Sequence, residues 1–151
     1  MYKNHSYFKG EFKQNMKQGY GKFHFADGAK FSGYYNKNKI EGYGERVGIT
    51  DYSYKGYYVD NYFHGKGELV NSDQSSSLEK YVGEFKNGKK NGHGKNFFRN
   101  GCSVEGTFKD GQYYGKVKFT NKQGKVRENI YETDYYKLIT YTEDIDDTEK
   151  P

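Results

Sequence analysis

The side chains best suited to chemistry are few and scattered. His5, His24, His64 and His93 have no metal-ligand spacing with one another or with Cys102. His93, in Gly92-His93-Gly94, reads as a surface residue of a strand rather than a base. The twenty glycines form neither a Gly-x-Gly-x-x-Gly turn nor a Walker loop that could cradle phosphate. The carboxylates are dispersed and mostly lie beside lysines, and no Ser/His/Asp set stands out. A single cysteine excludes an intrachain disulfide and fits a reducing compartment. Cys102 shares its place in the repeat described below with Ala29, and so reads as a small packed residue. These observations predict no enzyme, no metal and no cofactor.

What is regular is glycine. Gly10, Gly33, Gly56, Gly83 and Gly106 follow one another at steps of 23, 23, 27 and 23 residues. Nine residues after each stands a second glycine: Gly19, Gly42, Gly65, Gly92 and Gly115. Four of these open a Gly-x-Gly, closed by Gly21, Gly44, Gly67 and Gly94; the fifth copy has Val117 there. A fixed period of this size signals an array of small stacked units rather than one globular core.

The first glycine of each copy is flanked two residues away by Phe8 and Phe12, Phe31 and Tyr35, Tyr54 and Tyr58, Tyr81 and Phe85, or Val104 and Phe108. Residues two apart share a face of a strand, so each glycine leaves a hole between two bulky side chains. The opposite face is mostly polar, apart from residues such as Tyr34, Tyr57, Val59 and Val82. This is the alternation of a half-covered strand. Asn87-Gly88 and Asp110-Gly111 are hairpin turn signals. Each copy therefore predicts one β-hairpin, and isolated hairpins must stack to be stable.

Tyr81-Val-Gly83-Glu-Phe85-Lys-Asn-Gly88-Lys-Lys-Asn-Gly92-His-Gly94 closely resembles the MORN (membrane occupation and recognition nexus) repeat. The resemblance runs over residues 7–126, with copies near 8–30, 31–53, 54–80, 81–103 and 104–126. Copy two departs after Gly44, copy three carries four extra residues within Asn71-Ser-Asp-Gln-Ser-Ser-Ser, and copy five lacks the second glycine of Gly-x-Gly. The resemblance implies an all-β fold, an elongated single-layer antiparallel sheet of consecutive hairpins over residues 1–127.

Charge is uneven. Residues 1–127 hold 23 basic and 12 acidic side chains, whereas 128–151 hold 2 basic and 8 acidic ones. The densest basic stretch, 80–127, includes Lys86, Lys89, Lys90, Lys95, Arg99, Lys109, Lys116 and Lys118. Such a patch attracts acidic lipids or acidic protein, or simply keeps an open sheet soluble. Tyr131, Tyr135, Leu138 and Ile139 fall at helical spacing, which predicts a short capping helix within 128–142. Residues 143–151 read as an acidic, disordered tail. No apolar run reaches 18 residues, so no membrane-spanning helix is predicted.

A single sheet of hairpins leaves much of its aromatic face uncovered, and exposed aromatic surface marks a binding site. Phe12, Tyr35, Tyr58, Phe85 and Phe108 are thus expected to line a groove that takes an amphipathic or extended protein segment. Resemblance adds a scaffold or adaptor role in a cytoplasmic, cytoskeletal or ciliary assembly. The alternative is a peripheral module binding acidic phospholipid through the basic 80–127 surface. Nucleic acid ranks lowest as a partner, because the rings sit where the hairpin frame already needs them. An open last edge would allow a homodimer.

Overall fold

The computed structural model describes residues 5–131 and 138–141. They form one antiparallel sheet whose strands follow chain order. The strands are β1 (Tyr7–Lys13), β2 (Met16–His24), β3 (Lys30–Asn36), β4 (Lys39–Val47), β5 (Tyr52–Val59) and β6 (Tyr62–Asn71). They continue as β7 (Leu78–Lys86), β8 (Lys89–Phe98), β9 (Ser103–Lys109), β10 (Gln112–Thr120), β11 (Val126–Tyr131) and β12 (Leu138–Tyr141). Each expected hairpin is present, from β1–β2 to β9–β10. The hairpin turns take positive φ at both central residues, for example 49° at Asn87 and 82° at Gly88. That mirror-image turn matches the right-handed twist of its strands.

The frame glycines have two distinct jobs. The second of each copy sits at a bulge in the even strand; Gly92, at φ 100°, falls where β7 and β8 shift register. The others pair across strands. Gly10, Gly21, Gly33, Gly44, Gly56, Gly67, Gly83, Gly94 and Gly106 follow one another in register across nine strands. This row has no side chains, and rings lie over it. A Cβ on Gly94 would collide with the Tyr81 ring, and one on Gly33 would meet Phe31 at 2.6 Å.

Rings from successive units then interlock. Phe8 meets Tyr35, Phe31 meets Tyr58, Tyr54 meets Phe85 and Tyr81 meets Phe108, edge to face, at centroid separations of 5.0, 5.4, 5.6 and 5.2 Å. This is a favoured aromatic geometry. It builds one continuous core along a single layer: Phe31, Tyr35, Tyr54, Tyr58, Tyr81, Phe85 and Phe108 are all buried. Backbone bonds tie the units together at the turn edge. Asn38, Asn61, Gly88 and Gly111 donate their N–H groups to the carbonyls of Lys17, Ile40, Phe63 and Lys90 in the preceding unit.

The fifth copy solves the same problem differently. Its first flank is Val104 rather than a ring, and Val117 replaces glycine opposite Gly106. Both valines are buried, with Cys102 and Phe119, in a small second core. Cys102 occupies the turn site of Ala29, its carbonyl accepting from Phe98 as Ala29 accepts from Phe25.

The expected capping helix within 128–142 lies in large part outside the described residues. Glu128 to Tyr131 belong to β11, and 138–141 form β12, with Tyr131 opposite Leu138. The open side of β10 presents unpaired backbone groups, and a strand satisfies them. Residues 132–137 and the acidic stretch 143–151 lie outside the described residues.

Candidate partner-binding face

Strand alternation gives the sheet two faces. Face A carries the glycine row and its rings. Four of the five rings expected to line an open groove are closed off there: Tyr35, Tyr58, Phe85 and Phe108 are core, each covered by a ring of the preceding unit. Only Phe12 stays open, at 61 % exposure, because no described unit precedes the first. The sequence showed which residues share a face and that each glycine leaves a hole among them; the expected groove is narrowed because neighbouring rings fill those holes. Burial raises the Tyr35 and Tyr81 phenols to about 12.

Face B is the more open of the two: on face A, Phe8, Phe23, Tyr52, Phe63 and Tyr113 are half-buried, and Phe31, Tyr52, Tyr58 and Phe63 line a recess of about 320 Å³. The middle residue of Gly-x-Gly pairs with the residue after the next unit's first glycine. The pairs are Tyr20–Tyr34, Tyr43–Tyr57, Lys66–Glu84 and His93–Thr107. In the two tyrosine pairs the rings meet edge to face at 5.5 and 5.8 Å, and all four tyrosines remain exposed. A trough of about 780 Å³ crosses the middle of this face, walled by Tyr43, Tyr57, Val82, Glu84 and His93 and floored partly by Gly56, Gly67 and Gly83. Tyr43 donates to Glu45 at 3.0 Å, and that bond holds its phenol proton more tightly than usual. These four tyrosines were legible as polar-face aromatics in the frame, two of them directly.

The basic stretch does not act as one patch. Lys86, Lys89 and Lys109 stand exposed around the turns of units four and five, beside a recess of about 590 Å³. Lys90 instead points into face A, donates to Asn96 at 2.8 Å and lies over Tyr81 and Phe108. Burial lowers its ammonium to about 8. Its frame position is that of Ile40, Phe63 and Tyr113, a signal that could have placed it inward. Arg99 donates to the carbonyls of Asn71, Asp73 and Ser76 and so braces the four-residue insertion of copy three. Lys116 is 3.0 Å from Glu128, Lys95 lies over Phe97, and Lys118 stands opposite Glu105 and Glu128.

The dispersed histidines stay apart. His24 stacks on Tyr7 at 4.4 Å, and exposed His93 is 3.2 Å from Glu105. Among the described residues no three His, Cys, Asp or Glu side chains gather as a metal site, and no helix is long and apolar enough to cross a membrane.

Consecutive hairpins, a row of glycines and interlocking rings define a single-layer repeat module whose accessible face is available to a partner. The MORN repeat signature matches residues 8–30, 31–49, 54–76 and 81–103, and the chain belongs to that family. Membership makes it a protein or membrane interaction module of a non-catalytic type. The fifth hairpin, which lacks both the ring and the glycine, falls outside the match. A comparison with curated proteins finds no match to the chain.

Proposed function

We propose that this chain is a non-enzymatic scaffold or adaptor that holds a segment of a partner protein along face B. The observation that carries this reading is the contrast in cover. Face A packs most of its rings into a core and keeps mainly half-buried ones such as Tyr52 and Phe63 at its surface, while face B leaves two tyrosine pairs and a glycine-floored trough open. Tyrosine supplies large contact area at low entropic cost, and exposed aromatic surface is where partners dock. A cytoplasmic setting in a cytoskeletal or ciliary assembly is the reading that the family resemblance favours.

Cross-linking mass spectrometry on protein captured from its own cells tests this. Cross-links from Lys55 and Lys66, both on face B, to one defined protein support the reading. The variant Tyr43→Ser with Tyr57→Ser should keep its fold and lose that protein. Equal capture by the variant would rule out face B as the seat of binding.

The second reading, a peripheral module on acidic phospholipid, draws on the exposed cluster of Lys86, Lys89 and Lys109 at the turns. It requires binding to anionic vesicles that is lost at high salt and on reversal of Lys86 and Lys89.

A further inference from the structure

Face B carries a ladder of side chains in register across eleven strands: Lys9, Lys22, Ser32, Glu45, Lys55, Glu68, Val82, Lys95, Glu105, Lys118 and Glu128. From Glu45 onward the signs alternate, apart from Val82. Every lysine on that stretch has a glutamate opposite it in register, and opposite charges across a strand pair stabilise each other. At the other end the pattern breaks. Lys9 faces Lys22, and Lys22 faces Ser32. Lys30 lies on the next row, between His24 and Val47.

All three lysines are exposed. Among the described residues the ion pairs are Lys39–Asp60, Arg46–Asp51, Lys80–Glu68, His93–Glu105 and Lys116–Glu128, and none uses Lys9, Lys22 or Lys30. Glu11 is the one carboxylate on this face of β1–β3, and it is folded over Gly19. Like charges directly opposite one another destabilise a sheet. Protection of the sheet edge accounts for a lysine on β1, but not for Lys22 and Lys30 on β2 and β3.

Lys9 and Lys22 lie on a row between aromatic pairs, and Lys30 continues the row of the outer pair. The Tyr20–Tyr34 pair borders it on one side, and the stacked Tyr7–His24 pair flanks Lys30 on the other. We propose that the β1–β3 end of face B recognises an acidic polypeptide segment, whose carboxylates Lys9, Lys22 and Lys30 pair and whose backbone and side chains pack on Tyr20 and Tyr34. This rests on face B being the partner face and names the chemistry it selects. The spacing fits. Lysines opposite or diagonal across a strand pair stand roughly 5 to 8 Å apart. An extended peptide projects side chains to one side every ~6.7 Å. Carboxylates two residues apart can thus each meet an ammonium. The balanced ladder beyond Glu45 offers no net charge to such a segment, so the unbalanced end steers and orients it.

The test is fluorescence anisotropy with the full chain and a labelled peptide of alternating Glu and Ser, against its Gln/Ser counterpart. Vesicles of phosphatidylcholine with one-fifth phosphatidylserine run in parallel. The Glu/Ser peptide should bind and the Gln/Ser peptide should not. Lys9→Glu with Lys22→Glu should weaken binding at least about tenfold. The same two reversals at Lys116 and Lys118, in the balanced half, should change it by less than about twofold. Denaturant unfolding checks that both variants are folded. Equal loss in both variants would mean attraction by net charge alone and would overturn the assignment. So would vesicle binding without peptide binding, or no binding of either. Loss with Tyr43→Ser and Tyr57→Ser but not with the Lys9/Lys22 reversal would leave face B standing and remove the lysine cluster.

Discussion

Tyr34 and Tyr35 are adjacent in the chain and opposite in environment. Tyr34 is 53 % exposed and Tyr35 is 6 % exposed. Tyr57 and Tyr58 repeat the contrast one unit later, at 53 % and 4 %. The difference lies in what stands beside each ring. On face A the glycine row has no Cβ atoms, so rings settle onto backbone and against the next unit's ring. On face B the neighbouring row is charged, and a ring there can pair only with its cross-strand partner. One sequence frame thus makes a core on one side and an open aromatic surface on the other.

Truncating the core should give the largest effect. Tyr81 is fully buried and its hydroxyl donates to the Glu84 carbonyl at 2.8 Å. Tyr81→Ala should cost about 3 to 5 kcal/mol in urea unfolding. Tyr57→Ala on the other face should cost less than about 1 kcal/mol. Similar losses for the two would erase the distinction between the faces.

Next comes the glycine hole. Gly94→Val puts a side chain where the Tyr81 ring lies and should cost about 1 to 3 kcal/mol. The fifth copy has Val104 in place of the ring and Val117 in place of the glycine, both in one small core, which suggests the remedy. Combining Tyr81→Val with Gly94→Val should cost less than the sum of the single changes, with coupling of about 1 kcal/mol or more. Strict additivity would show that ring and glycine are independent.

Lys90, like Lys17 at the same frame position, is a charged residue among the rings of face A. Its folded ammonium titrates at about 8 against the ordinary 10.5. Between those values the unfolded chain holds the proton more tightly, so stability should rise with pH. Buried Tyr35 and Tyr81 act the other way above the ordinary phenol value of 10.0. There the unfolded chain ionises first and stability falls. Melting followed across this range should show a maximum between these limits. Lys90→Met should abolish the rising limb and gain on the order of 1 kcal/mol at neutral pH, solvent screening included. An unchanged limb in that variant would place the titration elsewhere.

The smallest stability effect and the largest binding effect should coincide on face B. Tyr43→Ser should shift unfolding by no more than about 0.5 kcal/mol. Partner capture by the same variant should fall sharply.

Much of the architecture was legible in the sequence because each hairpin is local. The period, the turn dipeptides and the period-2 alternation predicted one hairpin in each of the five units. What the frame did not disclose was contact between units. Pairing Gly10 with Gly21, and then with Gly33, requires the register of both hairpins at once. That register turns five glycine motifs into one row and makes Tyr35, Tyr58, Phe85 and Phe108 core rather than groove. The basic stretch misled for a related reason: proximity in sequence alternates between faces, so Lys89 and Lys90 part company. At the C-terminal end, the open edge of β10 takes up β11, a pairing that the repeat frame did not place. The alternation of β11 was hard to read because it buries Arg127 and Asn129 rather than apolar residues.

Hydroxyl-radical footprinting of tyrosines, on the chain alone and with its captured partner, tests the two-face account most directly. Tyr20, Tyr34, Tyr43 and Tyr57 should react readily in the free chain and become protected in the complex. Tyr35, Tyr54, Tyr58 and Tyr81 should be protected in both. Reactive face-A rings that become shielded by the partner, with face-B tyrosines unchanged, would contradict it.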